Sequence, residues 1–212
     1  MKTKGEKKEQ IREQIVEASR VYRDKLAGKV FLYVVGGEWF EVVFQTNCFM
    51  HLTGVSSQLS AQDFYEKAKA ARLTTEQISF DEKHSYQGAK KKLPCLLVLP
   101  ELTNSLVCVV KSMRTMTLTY TIGLTNLHFT VGLTENIDSY GNKRNDWFLP
   151  RTLRVRDKAI EASRDAEFVD FIFSKDASHD KYDKLEFAEK ERILPENLRP
   201  LLSQRLAEAL LD

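Results

Sequence analysis

The chain has 212 residues, of which 42% are hydrophobic and 29% are charged, an ordinary composition for one folded domain whose core needs no disulfide support. The net charge of +2 does not by itself indicate nucleic-acid binding, so any basic surface must come from local clustering. The charged N-terminus does not resemble a signal peptide, and the longest apolar run, Cys95 to Leu99, is too short to span a membrane; we therefore expect a cytoplasmic protein without a membrane partner.

The spacing of cysteines and histidines argues against a metal site. The three cysteines, Cys48, Cys95 and Cys108, are odd in number and far apart, which predicts buried, reduced thiols. The four histidines form no HxH or HxxxH pair and so lack the spacing of zinc ligands. We therefore expect no metal and no cofactor.

The first element is an amphipathic helix within residues 1–27. Its apolar residues recur at helical spacing, and Gly28 follows as a stop signal. The apolar stripe consists of Ile11, Ile15, Ala18, Tyr22 and Leu26.

A β-hairpin is predicted next. Val30 to Val35 and Trp39 to Phe44 are rich in β-branched and aromatic residues, and Gly36-Gly37 between them can adopt the positive φ angles of a tight turn. Pairing Val35 with Glu38 sets the register of the two strands. Both faces of the hairpin are then largely apolar, so we expect it to be covered on both sides.

The segment Phe49 to Gly54, with the sequence FMHLTG, follows the hairpin directly. It places His51 and Thr53 between apolar residues at a strand-to-helix junction, a common position for site residues. The next helix, Ser60 to Leu73, begins with a serine N-cap. From its position alone, His51 is either a catalytic group or a junction histidine whose ring hydrogen-bonds a backbone carbonyl.

The second half of the chain is rich in strands. Successive strands are predicted over Leu106 to Lys111, Met116 to Ile122 and Leu127 to Gly132, followed by a loop from Thr134 to Asp146. A helix with leucines from Leu198 to Leu210 closes the chain. Helices that flank a run of consecutive strands predict the α+β class.

Two clusters of cations are candidates for phosphate binding. Lys90-Lys91-Lys92 is either a solvated face or a patch that attracts phosphates. The segment Pro150 to Arg156 carries three arginines, and in a regular strand Arg151 would share one face with Leu153 and Val155. An arginine on such a face needs an anionic partner, which is either an internal carboxylate or a bound phosphate.

The FMHLTG segment and the Phe64-Tyr65 helix after it resemble the phage-associated branch of the barnase–EndoU–colicin E/D–RelE-like (BECR) nuclease superfamily. Domains of that branch carry an aromatic-x-His-Leu-Thr-Gly segment after a hairpin, followed by a Phe-Tyr helix. Later they carry a Pro-x-Ser/Thr-Leu segment, matched by Pro150 to Leu153, and a strand ending in lysine, matched by Phe171 to Lys175. The resemblance covers roughly residues 28–185.

The resemblance implies both a fold and an activity. The fold is a twisted antiparallel sheet with helices packed on one side, flanked here by the N-terminal helix (1–27) and a C-terminal helical extension (186–212). The activity is metal-independent cleavage of RNA by attack of the ribose 2′-OH on the adjacent phosphate, in phage, mobile-element or toxin-type systems. RNA would be the main partner, and a protein antidote or a phage or host protein a further one.

The resemblance also implies roles for particular residues. His51 would be the general acid or base, and Thr53 would orient it or bind a phosphate oxygen. Arg151 would stabilise the charge of the transition state, supported by Thr152. The additional substrate-binding residues would be Lys91, Lys92, Arg154 and Lys175.

The second acid or base is not identified by these motifs. Tyr65 is one candidate, although it could equally pack in the core. The Arg114-Thr115 pair offers an alternative to Arg151-Thr152.

Two other classes of function remain open. One is a non-catalytic module on the same fold that binds nucleic acid or protein, and the other is a structural protein that self-associates through its leucine-rich C-terminus. A nuclease requires His51, Arg151 and a second polar group to converge on an open concave surface. Enclosure of His51 by apolar side chains, with no cation nearby, would exclude it.

Overall fold

The computed structural model describes residues 3–114, 119–156 and 166–210. Within these ranges, no helix is both long enough and apolar enough to cross a lipid bilayer. The helices are α1 (Lys4–Lys25), α2 (Phe49–Thr53), α3 (Ala61–Lys69), α4 (Tyr86–Leu97), α5 (Glu101–Asn104) and α6 (Gln204–Ala209), with short 3₁₀ turns at Thr46–Cys48, Thr75–Gln77 and Glu196–Leu201.

The strands form one nine-stranded sheet with the order β7-β3-β4-β5-β6-β2-β1-β8-β9. They are β1 (Lys29–Val35), β2 (Glu38–Val43), β3 (Cys108–Arg114), β4 (Thr119–Thr125), β5 (Phe129–Ile137), β6 (Lys143–Val155), β7 (Ala166–Phe168), β8 (Phe171–Asp176) and β9 (Lys184–Ala188). Helices beside a continuous sheet confirm the α+β class.

One strand pair departs from the antiparallel sheet that the resemblance implies. Among the described pairs, β2 and β6 run parallel, with Glu41 opposite Trp147 and Val42 opposite Phe148, and all the others are antiparallel. Because the two strands run in the same direction, the chain after Val42 and the chain after Phe148 lead to the same end of the sheet. That shared direction brings α2, which follows β2, close to the second half of β6.

The hairpin predicted at the start of the sheet is confirmed in detail. Val35 pairs with Glu38 across the turn, and Gly36 and Gly37 have φ angles of 58° and 87°. A side chain at either position would strain this turn, since L-residues rarely adopt positive φ. The sequence Gly-Gly therefore fixes both the turn and the register.

The two larger hydrophobic cores cover opposite faces of the sheet. Helices α1, α3 and α4 pack on one face, where Tyr22 and Phe64 meet strand residues such as Phe31 and Leu153. The predicted stripe of α1 is buried in this core, with Ile11, Ile15, Ala18, Tyr22 and Leu26 each no more than 1% exposed. This is the face that corresponds to the helix-covered side of the sheet that the resemblance implies.

The C-terminal segment covers the other face of β1 and β8. Val30, Leu32 and Phe173 contact a core that includes Leu198 and Leu202. The hairpin is thus covered on both sides, as its apolar faces predict. The predicted continuous leucine helix is wrong, because the chain forms a 3₁₀ turn containing Pro200 and then starts α6 with Ser203 as its N-cap.

The predicted loop from Thr134 to Asp146 is also wrong over most of its length. Strand β5 continues to Ile137 and β6 begins at Lys143, so the turn is confined to residues 138–142. Polar side chains are tolerated on these strand ends because much of this hairpin faces solvent, and composition alone did not distinguish them from a loop. Met116 to Leu118, in the preceding predicted strand, lie outside the described residues.

The three cysteines are free, as expected from their spacing. Cys48 and Cys108 are buried, while Cys95 on α4 is partly exposed, which corrects the expectation of three buried thiols. Burial raises the pKa of the Cys48 thiol to about 11, so this thiol is protonated near neutral pH.

Candidate active site

Helix α2 positions His51 at the edge of the helix-side core. Phe49 and Leu52 are fully buried in that core and anchor the short helix. His51 lies between them in sequence but points away from both, and its side chain is half-buried. Gly54 ends the helix with a φ of 76°, a left-handed conformation that glycine adopts without strain.

Thr53, predicted to act beside His51, is fully buried. Its hydroxyl donates to the backbone carbonyl of Met50 at 2.7 Å and accepts from the backbone amide of Val55 at 3.4 Å. These bonds stabilise the end of α2 and its connection to the next segment. A contact between Thr53 and substrate stays a prediction.

Arg151 lies at an irregularity in β6. Across β5 and β6, Gly132 faces Thr152 and Leu133 faces Pro150, so Arg151 is the extra residue of a β-bulge. A bulge reverses the alternation of the strand. This explains how Leu149 contacts the C-terminal core while Leu153, four residues later, is buried in the helix-side core. The regular-strand prediction for Arg151 therefore does not hold, and the bulge directs this exposed side chain toward α2.

His51 and Arg151 are in direct contact. The Arg151 Nη1 atom donates to Nε2 of His51 at 2.9 Å, across 100 residues of sequence. Burial lowers the pKa of His51, and the nearby positive charges of Arg151 and His84 lower it further. The imidazole is therefore neutral at pH 7, with its proton on Nδ1 and its Nε2 lone pair facing the guanidinium.

An open cleft of about 870 Å³ adjoins this contact. We call it the basic cleft, because cationic side chains from both walls reach it. Besides His51 and Arg151, its lining includes Lys92 from α4, Arg154 and Thr152 from β6, and His84 from the segment before α4. The convergence required of a nuclease is thus present, with His51 beside a cation at an open surface.

Lys92 and Arg154 are cations whose hydrogen-bond donors are not all satisfied within the described residues. Burial lowers the pKa of Lys92, and the charge of Arg154 lowers it further. In the described part of the chain, Lys92 forms no ion pair or hydrogen bond, and the buried Nε of Arg154 has no hydrogen-bond partner. Desolvated cations without an internal carboxylate favour an anionic ligand.

His84 is the functional candidate that sequence reasoning missed, since it lies in a polar segment with no recognisable motif. Ser56 donates its hydroxyl proton to Asp81, and the Ser56 oxygen lies 2.9 Å from Nδ1 of His84. The same His84 nitrogen lies 3.2 Å from Asp81 Oδ1. These contacts place a proton on Nδ1 and leave Nε2 of His84 available at the cleft.

The Asp81 carboxylate is itself well held. The Ser56 hydroxyl, followed by the backbone amide of His84, lowers the pKa of Asp81 to about 2. Asp81 Oδ1 also accepts from the backbone amide of Lys83 at 2.8 Å, which closes a tight turn. The spacing of Asp81 three residues before His84 was the available sequence signal. Ser56, which contacts both side chains, lies 28 residues before His84 and could not be recognised from that spacing.

Tyr65, the candidate for a second acid or base, is a core residue. It is 1% exposed and packs edge-on against Tyr22 and Phe49. Burial raises the pKa of its hydroxyl. Of the alternative pair, Arg114 ends β3 and Thr115 lies outside the described residues.

The remaining predicted substrate-binding lysines, Lys91 and Lys175, do not line the basic cleft. Lys91 is exposed on α4, next to Lys92. Lys175 lies on β8, where its Nζ donates to the Asp180 carbonyl at 3.1 Å and sits over the ring of Tyr182. Their roles toward RNA stay predictions.

A second cleft of about 550 Å³ lies on the other side of the His51–Arg151 contact. The two clefts share His51, Arg151, Tyr120 and Thr134 as a common wall. We call the second one the amide cleft, because its distinguishing polar residues are Gln45, Asn47 and Asn136.

No cluster of three or more His, Cys, Asp or Glu side chains that could hold a metal ion occurs within residues 3–114, 119–156 and 166–210. Among the residues that line the basic cleft, the positive charges belong to Arg151, Lys92, Arg154 and Lys83.

Comparison with known proteins gives one informative match. The family model described as phage-Barnase-EndoU-ColicinE5/D-RelE like nuclease4 (PBECR4) matches residues 14–191, which include the second half of α1, the hairpin and every side chain of both clefts. Comparisons with curated proteins and with solved structures gave no match.

Proposed function

The chain belongs to the phage-Barnase-EndoU-ColicinE5/D-RelE-like nuclease family, and on this premise we propose that it is a metal-independent endoribonuclease. The observation that carries the proposal is the contact between His51 and Arg151 at an open cleft that Lys92 and Arg154 also line. A neutral histidine beside an arginine supplies both a proton acceptor and a phosphate ligand.

In the proposed reaction the scissile phosphate binds in the basic cleft, where Arg151, Lys92 and Arg154 contact its oxygens. Engagement of Arg151 by the phosphate releases Nε2 of His51, which then accepts the proton of the 2′-OH. The 2′ oxygen attacks phosphorus, the bond to the 5′ oxygen breaks, and a 2′,3′-cyclic phosphate forms. The three cations stabilise the additional negative charge of the transition state.

His84 is the proposed proton donor for the 5′ oxygen that leaves. In this role it acts as the imidazolium, which carries a proton on each ring nitrogen and gives up the proton on Nε2. Its Nδ1 is held by Ser56 and Asp81, so that Nε2 faces the cleft. Such a carboxylate-oriented histidine is a common arrangement for proton transfer. Two histidines on one cleft complete the acid–base pair that the sequence motifs left unfinished.

The first test is cleavage of total RNA by the purified protein in EDTA. We expect wild-type protein to produce 2′,3′-cyclic phosphate ends and to leave oligonucleotides with a 2′-deoxy sugar at the scissile position intact. We expect His51→Ala to lower the rate by about 100- to 10,000-fold, the usual contribution of a general acid or base. His128→Ala is the matched control, because His128 is exposed and lines neither cleft.

Equal cleavage by wild type and His51→Ala would contradict the role of His51. RNA binding without cleavage by the wild type, across diverse RNAs, would instead favour a non-catalytic binding module.

The role of His84 is tested with a substrate whose leaving group needs no proton. We expect the His84→Ala variant to cleave a dinucleotide more slowly than the wild type does. The variant should cleave uridine 3′-(4-nitrophenyl phosphate) at nearly the wild-type rate, because 4-nitrophenolate leaves without protonation. His51→Ala should remain defective on both substrates. An equal loss on both substrates for His84→Ala would exclude it as the acid.

A phage, mobile-element or toxin setting is part of the same proposal, supported by the phage association in the family description. A protein antidote would be expected to cover the basic cleft in such a system.

A further inference from the structure

The amide cleft differs chemically from the basic cleft although the two share a wall. Its own polar side chains are mainly neutral, and the carboxylate of Glu135 lies among them beside one arginine, Arg144. A phosphate group bound in the amide cleft would be repelled by this carboxylate and attracted by fewer cations than in the basic cleft. The amide cleft therefore suits a neutral ligand with hydrogen-bonding edges.

Two amide side chains just before the start of α2, those of Gln45 and Asn47, have hydrogen-bonding groups available to a ligand. The backbone carbonyl of Gln45 accepts from the Tyr22 hydroxyl at 2.8 Å, which fixes the main chain there. In the part of the chain that the structure describes, the Gln45 side-chain amide forms no hydrogen bond. Among the described residues, the Asn47 side chain makes one hydrogen bond, which its Oδ1 accepts from the Cys48 thiol at 3.6 Å. Each amide can therefore donate to and accept from a ligand.

The opposite side of the amide cleft is better fixed and partly apolar. Asn136 is 7% exposed, and its Nδ2 donates to Asn145 at 3.0 Å. Leu149 and Pro150 contribute apolar surface on the strand that carries Arg151. A planar ligand with apolar faces and a polar edge fits this combination.

We propose that the amide cleft binds the nucleobase adjoining the scissile phosphate, and that Gln45 and Asn47 recognise its polar edge. This inference rests on the proposed RNA cleavage. Asparagine and glutamine amides present a paired donor and acceptor that match base edges. Unpaired bases in single-stranded RNA expose those edges to proteins. Because both clefts meet at His51 and Arg151, a base in one cleft belongs to the nucleotide whose phosphate lies in the other.

The test is a set of DNA oligonucleotides that each contain one ribonucleotide, with all four bases varied on either side of the scissile phosphate. We expect wild-type protein to prefer one base at one of these two positions by about tenfold or more, the discrimination typical of hydrogen bonding to a base edge. Asn47→Ala should reduce that preference to about threefold or less. Gln45→Glu, which replaces an amide donor by an acceptor of the same shape, should change the order of preferred bases.

Asn104→Ala is the matched control, since Asn104 is exposed on α5 and lines neither cleft. It should retain the wild-type order and size of preference. Relative rates among the four bases are compared within each variant, so a general loss of activity does not affect the readout.

Binding of uncleavable 2′-O-methyl trinucleotides, measured by fluorescence anisotropy, separates this inference from the proposed function. A base preference in binding that Asn47→Ala abolishes supports the subsite even for a protein that cleaves nothing. Cleavage without base preference, or with a preference that both variants retain unchanged, overturns the subsite and leaves the ribonuclease proposal intact. Absence of both cleavage and binding overturns both.

Discussion

The basic cleft and the amide cleft meet at the same two side chains but have opposite chemical character. The basic cleft contains Lys92 and Arg154, for which the described residues provide no carboxylate partner. The amide cleft contains neutral groups such as Gln45 and Asn47, with a carboxylate nearby. If the proposed function holds, this separation of charge places contacts to the phosphate backbone and contacts to a base on opposite sides of one His–Arg pair.

Replacing Arg151 removes one of the side chains that line both clefts and should have the largest effect among the variants considered next. We expect Arg151→Gln to lower the cleavage rate by about 100- to 1,000-fold, as expected for loss of a group that stabilises transition-state charge. Arg151→Lys should recover part of the rate, since it restores the charge but not the planar fork.

The same variant makes a prediction about the free protein. The positive charge of Arg151 disfavours the protonated form of His51, so Arg151→Gln should raise the pKa of His51 toward its ordinary value. Burial is the larger cause of the shift and should keep the pKa of His51 below that value. An NMR titration of the His51 ring checks this; an unchanged or lower pKa would contradict the contact.

Replacing Lys92 should affect the basic cleft and leave the amide cleft intact. We expect Lys92→Ala to weaken RNA binding by about tenfold, the size of one charge-assisted contact, and to reduce the salt dependence by about one phosphate contact. Lys91→Ala is the matched control, because the neighbouring lysine is exposed on the same helix. Equal effects of the two variants would show that the basic cleft adds nothing to a general basic surface. Neither Lys92→Ala nor Lys91→Ala should change the preference among the four bases.

Gly54→Ala tests how the FMHLTG segment supports Lys92. A Cβ at Gly54 would lie 2.8 Å from Cδ of Lys92, and the φ of 76° adds backbone strain. We expect a loss in the free energy of unfolding of about 1–3 kcal/mol, together with weaker RNA binding. Gly141→Ala is the control, since its φ is 86° but no atom lies within 4 Å of the added Cβ. Weakened RNA binding in both variants would point to strain rather than to displacement of Lys92.

Asp81→Asn should destabilise the fold less than Gly54→Ala, because the Asp81 carboxylate is exposed. The folded-state pKa of Asp81 is lowered to about 2 by Ser56 and the backbone of His84. The Asp81 carboxylate therefore stabilises the fold above its unfolded pKa of about 4, and this contribution is lost as pH falls through the folded value. The difference in Tm between wild type and variant should be constant near neutral pH and shrink below about pH 4. Thermal unfolding across this range checks it; a difference independent of pH would contradict the role of the carboxylate charge.

The sequence by itself determined the local parts of this protein. The Gly36-Gly37 turn set the hairpin register, Ser60 capped α3 by accepting from the Asp63 amide at 3.1 Å, and the apolar stripe of α1 marked its buried face. The FMHLTG segment and the helix after it indicated the nuclease family, which the match over residues 14–191 confirms. These features depend on residues close together in the chain, where turn chemistry, capping and periodicity act directly.

The tertiary structure alone decided which distant groups meet His51. The parallel pairing of β2 with β6 brought two remote segments to one end of the sheet, and the bulge at Arg151 reversed the face predicted for a regular strand. The contact of Ser56 with His84 likewise joined a polar segment to the site. Pairing between distant strands and a one-residue bulge depend on packing across the whole sheet, and no local pattern near Arg151 or His84 encodes them.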